Sequence, residues 1–244
     1  GTICFTISPV HPLENYVTLG LQLKEMGAAS ICTKDMAGIM GPQEAYDLVK
    51  ALKDNVGLPI DVHTHATTGL APMTLLKAVE AGADIIDTAL SALSGGTSQY
   101  ATESMVYGLR QLGYEVDFDD KAAKTVNDAF VKVSDDAIAS GLLDPYVLGT
   151  KTDALIYQVP GGMLSNLIAQ LKSQNALHKF DEALEEMPKV RADLGYPPLV
   201  TPTSQITGVQ AVMNVLAGER YKLVSNEVKS YLRGEYGRAP GEVN

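Results

Sequence analysis

Four times within roughly its first 110 residues the chain repeats one theme: a short β-branched segment, a polar turn and a helix-length amphipathic stretch. Strand character falls on residues 2–8 (TICFTIS), 30–35 (SICTKD), 59–65 (PIDVHTH) and 84–90 (DIIDTAL). Helical spacing fills residues 13–26, 42–55 and 71–81, and a fourth helix is expected over about 100–111. Two helix-to-strand joints, MGAASICTKD and AGADIIDTAL, resemble each other, with Gly where a helix end calls for a left-handed residue. Strand and helix alternating in this way predict a parallel sheet with right-handed crossovers, an α/β fold.

After about residue 115 the pattern changes to helical periodicity, broken by LLDPYVLG, VPGG, GYPPLVTP and GEYGRAPGE, which are rich in Gly and Pro as loops are. The expected organisation is a β/α portion over residues 1–115 and an all-helical portion over residues 116–244.

Composition narrows the function classes. With 19 basic against 29 acidic residues the formal charge is −10, and no basic patch is visible, which argues against nucleic acid. No apolar run approaches the roughly 18 residues of a membrane span. The opening GTICFTISPV lacks the basic flank of a signal peptide. Cys4 and Cys32 lie in apolar runs without a Cys-x-x-Cys partner and read as reduced core residues of a cytoplasmic protein.

The third strand ends in DVHTH. Residues i and i+2 of a strand share a face, so His63 and His65 project together at the C-terminal end of a parallel strand, where β/α folds build their sites. Two converging imidazoles are half a site for zinc or another divalent transition metal. The bland alternative is one buried, hydrogen-bonded histidine beside an exposed one. Lys34 ends the neighbouring strand, and partial desolvation there would expose a nucleophilic amine able to capture CO2 as a carbamate, an anionic oxygen ligand. The alternative is that Lys34 pairs with Asp35 or Asp61. The fourth strand leads into SALSGGTSQYATES (residues 91–104), where Gly95 and Gly96 allow close backbone approach to a ligand and Thr97 and Ser98 add hydroxyls. A helix is expected to start shortly after, so backbone N–H groups at its start could hold an anion, or the hydroxyls could be ordinary helix caps.

Other stretches carry no chemistry by this reading. TSQITG (residues 203–208) is a helix cap, VPGG (159–162) a turn, KFDEALEEM a solvated helix face, and His11 and His178 are surface or cap residues.

The stretches GTICFTISPVHPLE, KDMAGIM, HTHATTG, SGGTSQ, QVPGGMLSNL, LVTPTSQITGVQAVMNVLAGERYK and GEYGR run from end to end of the chain. Together they resemble the carboxyltransferase component of biotin-dependent enzymes acting on pyruvate and oxaloacetate. This family includes the B subunit of pyruvate carboxylase, the oxaloacetate decarboxylase α subunit and the large transcarboxylase subunit. The resemblance implies a TIM (β/α)8 barrel followed by an all-helical funnel domain. It implies that His63 and His65 ligate a divalent metal, with zinc expected and cobalt or manganese possible. Lys34 is then a metal-bridging carboxylated lysine, and Thr97, on the carboxybiotin side, shuttles a proton between biotin and the pyruvate enolate. Biotin would arrive on a separate carrier domain or subunit, because no Ala-Met-Lys-Met acceptor is present. A homo-oligomer is also implied.

A closed barrel needs eight strands, and four are counted. The Asp ligand and substrate-gripping Arg of the family's first half are absent, so the chain matches the C-terminal half of the barrel. Two open sheet edges and exposed apolar faces would then need the missing N-terminal barrel half, in the same polypeptide or another. Two alternatives remain: a metal-dependent aldol or Claisen-type lyase of the hydroxymethylglutaryl-CoA lyase kind, and a non-catalytic half-subunit kept for assembly. The sequence leaves open whether pyruvate is carboxylated or oxaloacetate decarboxylated.

Overall fold

The computed structural model describes residues 1–244, with Tyr146, Gly162, Leu164 and Ser165 described by backbone path only. Four parallel strands, β1 (Thr2–Cys4), β2 (Ile31–Asp35), β3 (Ile60–Thr64) and β4 (Ile85–Ile86), lie side by side in chain order. Helices α1 (Leu13–Glu25), α2 (Pro42–Asn55) and α3 (Ala71–Glu80) connect them, and α4 (Thr102–Gln111) and α5 (Asp120–Ala139) follow. The helical remainder comprises α6 (Asp153–Tyr157), α7 (Gly161–Ser173), α8 (Phe180–Asp193), α9 (Thr203–Ala217) and α10 (Asn226–Leu232).

The sheet has two unlike faces. Ile31, Thr33 and Asp35 of β2 and Ile60, Val62 and Thr64 of β3 are buried. They pack on helix stripes spaced i, i+3, i+4, i+7: Ala45, Leu48, Val49 and Leu52 of α2, and Ala71, Thr74, Leu75 and Ala78 of α3. Alternation sends Cys32, Lys34, Asp61 and His63 to the opposite, inner face, where all four are half-buried. The inner face is therefore polar and not the apolar surface expected of an open half-barrel. The cysteines are corrected with it. Cys4 and Cys32 are free thiols, but they line this inner face and not the core. Burial, reinforced by Asp61, pushes the Cys32 thiol up to about 12.

Two strands are shorter than the sequence predicts, for different reasons. β1 stops at Cys4 because the chain from Thr6 leaves the sheet and is bound by the buried Arg191, which donates to Thr6 Oγ1 at 2.7 Å and the Ile7 carbonyl at 3.1 Å. β4, with strand pairing on one side only, ends at Ile86 and gives way to a single bridge between Ala89 and Ala101 and a 3-10 turn at Ser91–Leu93.

The molecule divides into two compact units, Gly1–Phe5 with Leu13–Thr152, and Thr6–Pro12 with Asp153–Asn244. Past α4 the described elements are all helical, and packing keeps the first of them with the sheet. The Ala92 N–H donates to Asn127 Oδ1 of α5 at 2.8 Å and the Thr97 N–H to the Val147 carbonyl at 3.1 Å, which keeps residues beyond 115 with the sheet.

In the helical unit, Glu186 departs from the expectation of a solvated acidic face. It is 6 % exposed and accepts from Asn214 Nδ2 at 2.8 Å and Arg220 Nε at 2.6 Å. VPGG opens α7 at Gly161 instead of forming a turn. The N-cap of α9 is Pro202, and the Thr203 hydroxyl bonds back to the Pro198 and Val200 carbonyls. Among the described residues no helix is long and apolar enough to cross a membrane.

Candidate functional site

β3 delivers His63 at its end and His65 one residue beyond it. The His65 N–H is pinned to the Asp35 carbonyl at 3.2 Å, and the next amide, Ala66, to the Ser98 carbonyl at 2.7 Å. Behind them, the buried Asp35 carboxylate accepts from the Ile39 and Met40 N–H groups and the Thr64 hydroxyl at 3.2, 2.8 and 2.9 Å. Burial raises its pKa against the opposing pull of these bonds. They curl the loop after β2 so that Gly38, at φ +66°, lies against His65. A Cβ there would run into the His65 carbonyl oxygen, so only Gly fits.

The imidazoles are oriented from behind. His63 Nδ1 lies 2.7 Å from Asp87 Oδ2, and His65 Nδ1 lies 2.6 Å from the Thr97 carbonyl oxygen. A carbonyl only accepts, so His65 Nδ1 carries the hydrogen and Nε2 a lone pair; the Asp87 carboxylate imposes the same tautomer on neutral His63. The two Nε2 atoms are 3.2 Å apart. Burial lowers the pKa of His65, which favours the neutral ring.

Two lone pairs face each other with no hydrogen between them, an arrangement that favours a cation. Two donors bound at about 2.0–2.1 Å to one ion stand roughly 2.9–3.4 Å apart across tetrahedral to octahedral geometries. The pair thus fits a divalent metal, with a carboxylate and a carbonyl as outer partners of the ligands. The bland expectation of one buried and one exposed histidine is not met, since both rings are half-buried and both are held. Among the described residues there is no group of three His, Cys, Asp or Glu side chains able to hold a metal, so the pair is half a site in those terms.

Lys34 is the registered neighbour of His63 across β2 and β3. Its ammonium makes no hydrogen bond or ion pair among the described residues, so pairing with Asp35 or Asp61 is not what holds it. Asp35 points to the other face. Asp61 Oδ1 is itself buried without a hydrogen-bond partner among the described residues. Burial and then the charge of Asp87 raise the Asp61 pKa.

Thr97 enters the site through its main chain: its carbonyl holds His65, and its hydroxyl makes no hydrogen bond among the described residues. In this loop the N–H groups of Gly95, Thr97 and Ser98 all donate to carbonyls of the chain. The close approach at Gly96 is to the chain itself, since a Cβ would run into the Val147 carbonyl oxygen. Sequence reading missed Asp87 and Gln99. Asp87 stands two residues past Ile85 on the same face, a signal that register across the sheet would have exposed. Gln99 sits within the SGGTSQ motif, its Nε2 3.4 Å from both imidazole Nε2 atoms.

Fold and site together define a parallel β/α half-sheet carrying a histidine pair at its C-terminal edge, followed by a helical unit. Residues 5–129 match the HMGL-like family and residues 154–244 match the conserved carboxylase domain. The chain belongs to the HMGL-like family. It is 55 % identical over 244 residues to the B subunit of pyruvate carboxylase from Methanocaldococcus jannaschii, covering 100 % of this chain and 43 % of that protein. It is 45 % identical over 246 residues to the methylmalonyl-CoA carboxyltransferase 5S subunit of Propionibacterium freudenreichii subsp. shermanii, covering 99 % and 47 %. The carboxyl transferase domain of Rhizobium etli pyruvate carboxylase, solved with pyruvate, superposes with a TM-score of 0.90 at 31 % identity, covering 98 % of this chain and 42 % of that one. The chain spans less than half the length of these relatives.

Proposed function

We propose that this chain is the metal-bearing half of a carboxyltransferase barrel that moves CO2 between carboxybiotin and pyruvate or oxaloacetate. The observation that carries it is the convergence of His63 and His65 Nε2 atoms, 3.2 Å apart, with both Nδ1 atoms tied back. A divalent ion held there, zinc or else cobalt or manganese, would polarise the keto oxygen of a 2-oxo acid and make its enolate accessible. Lys34 supports the reading as an unpaired amine beside His63, placed to supply an anionic oxygen once carboxylated. Asp87 holds the His63 tautomer, and the Thr97 carbonyl holds that of His65. The Thr97 hydroxyl, half-buried and without a partner among the described residues, is the proposed proton carrier between enolate and biotin.

Biotin would come on a separate carrier domain or subunit, and the remaining strands from the other half of the barrel. A homo-oligomer in the cytoplasm completes the proposal. The match of residues 154–244 to the conserved carboxylase domain favours carboxyl transfer over a lyase of the hydroxymethylglutaryl-CoA kind.

The test is oxaloacetate decarboxylation by the chain combined with the complementary first half of a relative's barrel, with and without biotin. Biotin-dependent release of pyruvate is expected, whereas turnover indifferent to biotin would favour the lyase, and none at all would sink both enzymatic readings. In that assembly Thr97→Ala keeps the carbonyl that holds His65. A near-complete loss of transfer with metal retained would therefore report the hydroxyl. Unchanged turnover would move the proton to another group. Lys34→Ala is expected to lower metal occupancy or turnover; an unaltered enzyme would reduce Lys34 to a structural residue.

A further inference from the structure

The stretch between α5 and α6 supplies no group to the chemistry proposed above, yet it is bonded to both loops around His65. Its 3-10 turn, Pro145–Leu148, is closed by the Val147 N–H on the Asp144 carbonyl at 3.0 Å. From that turn the Val147 carbonyl accepts from the Thr97 N–H at 3.1 Å, in the loop after β4. Further along, the Lys151 N–H donates to the Thr67 carbonyl at 2.7 Å, in the loop after β3. Each loop meets the stretch with a glycine. A Cβ on Gly96 (φ +51°) would run into the Val147 carbonyl oxygen and the Leu148 main chain, and one on Gly69 (φ +82°) would press on Thr150 Cγ2 at 3.3 Å.

The loop after β4 is a spacer between this stretch and the imidazole. It closes on itself through the Gly95 N–H to the Gln99 carbonyl at 2.8 Å and the Ser98 N–H to the Gly95 carbonyl at 2.9 Å. Its outward groups are divided between two neighbours. The Thr97 N–H goes to Val147, whereas the Thr97 carbonyl takes His65 Nδ1 at 2.6 Å and the Ser98 carbonyl takes the Ala66 N–H at 2.7 Å. Thr97 thus links the stretch to the ring through its two peptide groups, and because each is planar and stiff, tilting one re-aims the other. His63 is held differently, by the Asp87 carboxylate at 2.7 Å from its Nδ1. α5 agrees with this division. It buries none of its side chains, so it adds no apolar core. The Asn127 Oδ1 bond to the Ala92 N–H at 2.8 Å fixes it beside the sheet, and the Leu143 N–H on the Ala137 carbonyl at 3.0 Å ties its end to the start of the stretch.

We infer that residues 144–151 form a strap that positions His65, with Gly96 and Val147 as its positioning residues. The strap holds the Thr97 peptide. The Thr97 carbonyl in turn holds the ring direction and the Nδ1–H tautomer of His65, which leaves its Nε2 lone pair turned toward His63. By gripping both loops, at Thr67 and at Thr97, the strap also keeps the end of β3 from splaying away from the loop after β4. The bearing of this on carboxyl transfer rests on the function proposed above, whereas the hydrogen bonds do not. The two imidazoles are held by separate devices, a carboxylate for His63 and a main-chain strap for His65. Slackening the strap therefore disturbs one ring and spares the other, which a general loss of packing would not do.

The test reads the imidazole nitrogen-15 shifts of the metal-free 244-residue chain, which report the nitrogen that carries the hydrogen. Wild type is expected to show His65 wholly in its Nδ1–H form. Gly96→Ala pushes the loop off the strap. Its His65 is expected to become a mixture of tautomers, with the Nδ1 hydrogen exchanging on the order of tenfold faster, while His63 keeps its wild-type shifts. Two glycines inserted after Gly149 slacken the strap without touching either loop and are expected to act in the same direction, more weakly. An unchanged His65 in a folded Gly96→Ala chain would overturn the role of the strap, as would equal disturbance of both rings. Where circular dichroism shows Gly96→Ala unfolded, the chain with inserted glycines decides by the same criteria. In the assembly with the complementary barrel half, Gly96→Ala is expected to lower turnover on the order of 10–100-fold, and wild-type turnover there would overturn the strap as a positioning device. An inactive wild-type assembly, with the His65 response intact in the free chain, would sink the proposed function and leave the strap standing.

Discussion

In the helical unit Glu186, Asp193, Gln210, Asn214, Arg220 and Tyr221 close on one another, whereas around His63 and His65 the polar groups do not. Glu186 Oε1 accepts from Asn214 and Arg220, Asp193 Oδ2 accepts from Arg220 at 2.6 Å and the Tyr221 hydroxyl at 2.7 Å, and Asn214 Oδ1 accepts from Gln210 Nε2 and the Tyr221 N–H at 2.8 Å. Gln210 then bonds the Leu223 carbonyl and the Ser225 N–H, which ties α9 to the start of α10. Every link pairs a donor with an acceptor, as a buried network must if it is to hold a fold. At the sheet edge, by contrast, two acceptor nitrogens face each other, Lys34 has no partner among the described residues, and Asp61 Oδ1 is buried without one. A closed network stabilises. An open one is a set of groups waiting for a ligand, and it is kept in place by the closed shell behind it.

If that contrast is right, damage to the two clusters should separate metal from stability. The largest effect is expected from replacing His63 and His65 with Ala: complete loss of bound metal by elemental analysis, with the thermal midpoint nearly unchanged. Retained metal would place the ion elsewhere. Next comes Asp87→Ala, which frees the His63 ring to rotate; metal affinity should fall on the order of 10–100-fold, again with little change in melting. A purely structural Asp87 would instead lower the midpoint and spare the affinity. The smallest effect on metal, none, is expected of Glu186→Ala. It leaves the Arg220 and Asn214 donors short of an acceptor, and denaturant unfolding should register a loss of about 1–3 kcal/mol. Altered metal content in that variant would blur the distinction between the clusters.

The parallel order of the strands and the bounds of α2 were legible in the sequence because periodicity of two and of 3.6 needs only local information. His63 and His65 were legible for the same reason, as two residues of one strand. Asp87 and Gln99 were not, because their relation to His63 depends on register with β4 and on the loop that follows it, at sequence separations of 24 and 36 residues. Lys34 was found by its place at a strand end, but that its partner across the sheet is His63 is a fact of register alone. Glu186 was misread because one buried position in an acidic helix looks, in sequence, like its solvated neighbours. The Thr97 hydroxyl drew attention by residue type, yet the contact it contributes is a carbonyl, which any residue at that position would supply.

The segment after β1 belongs to the helical unit, and Arg191 clasps it across 185 positions of sequence. During synthesis Thr6 and Ile7 leave the ribosome ahead of β2, β3 and β4 and wait for all three to follow before their partner exists. Closing so long a span costs little more entropy than closing half of it, so the delay is one of order rather than of energy. The helical unit is thus assembled from two stretches separated in sequence by β2, β3 and β4, and a cut at Asp153 would leave it without the earlier of the two.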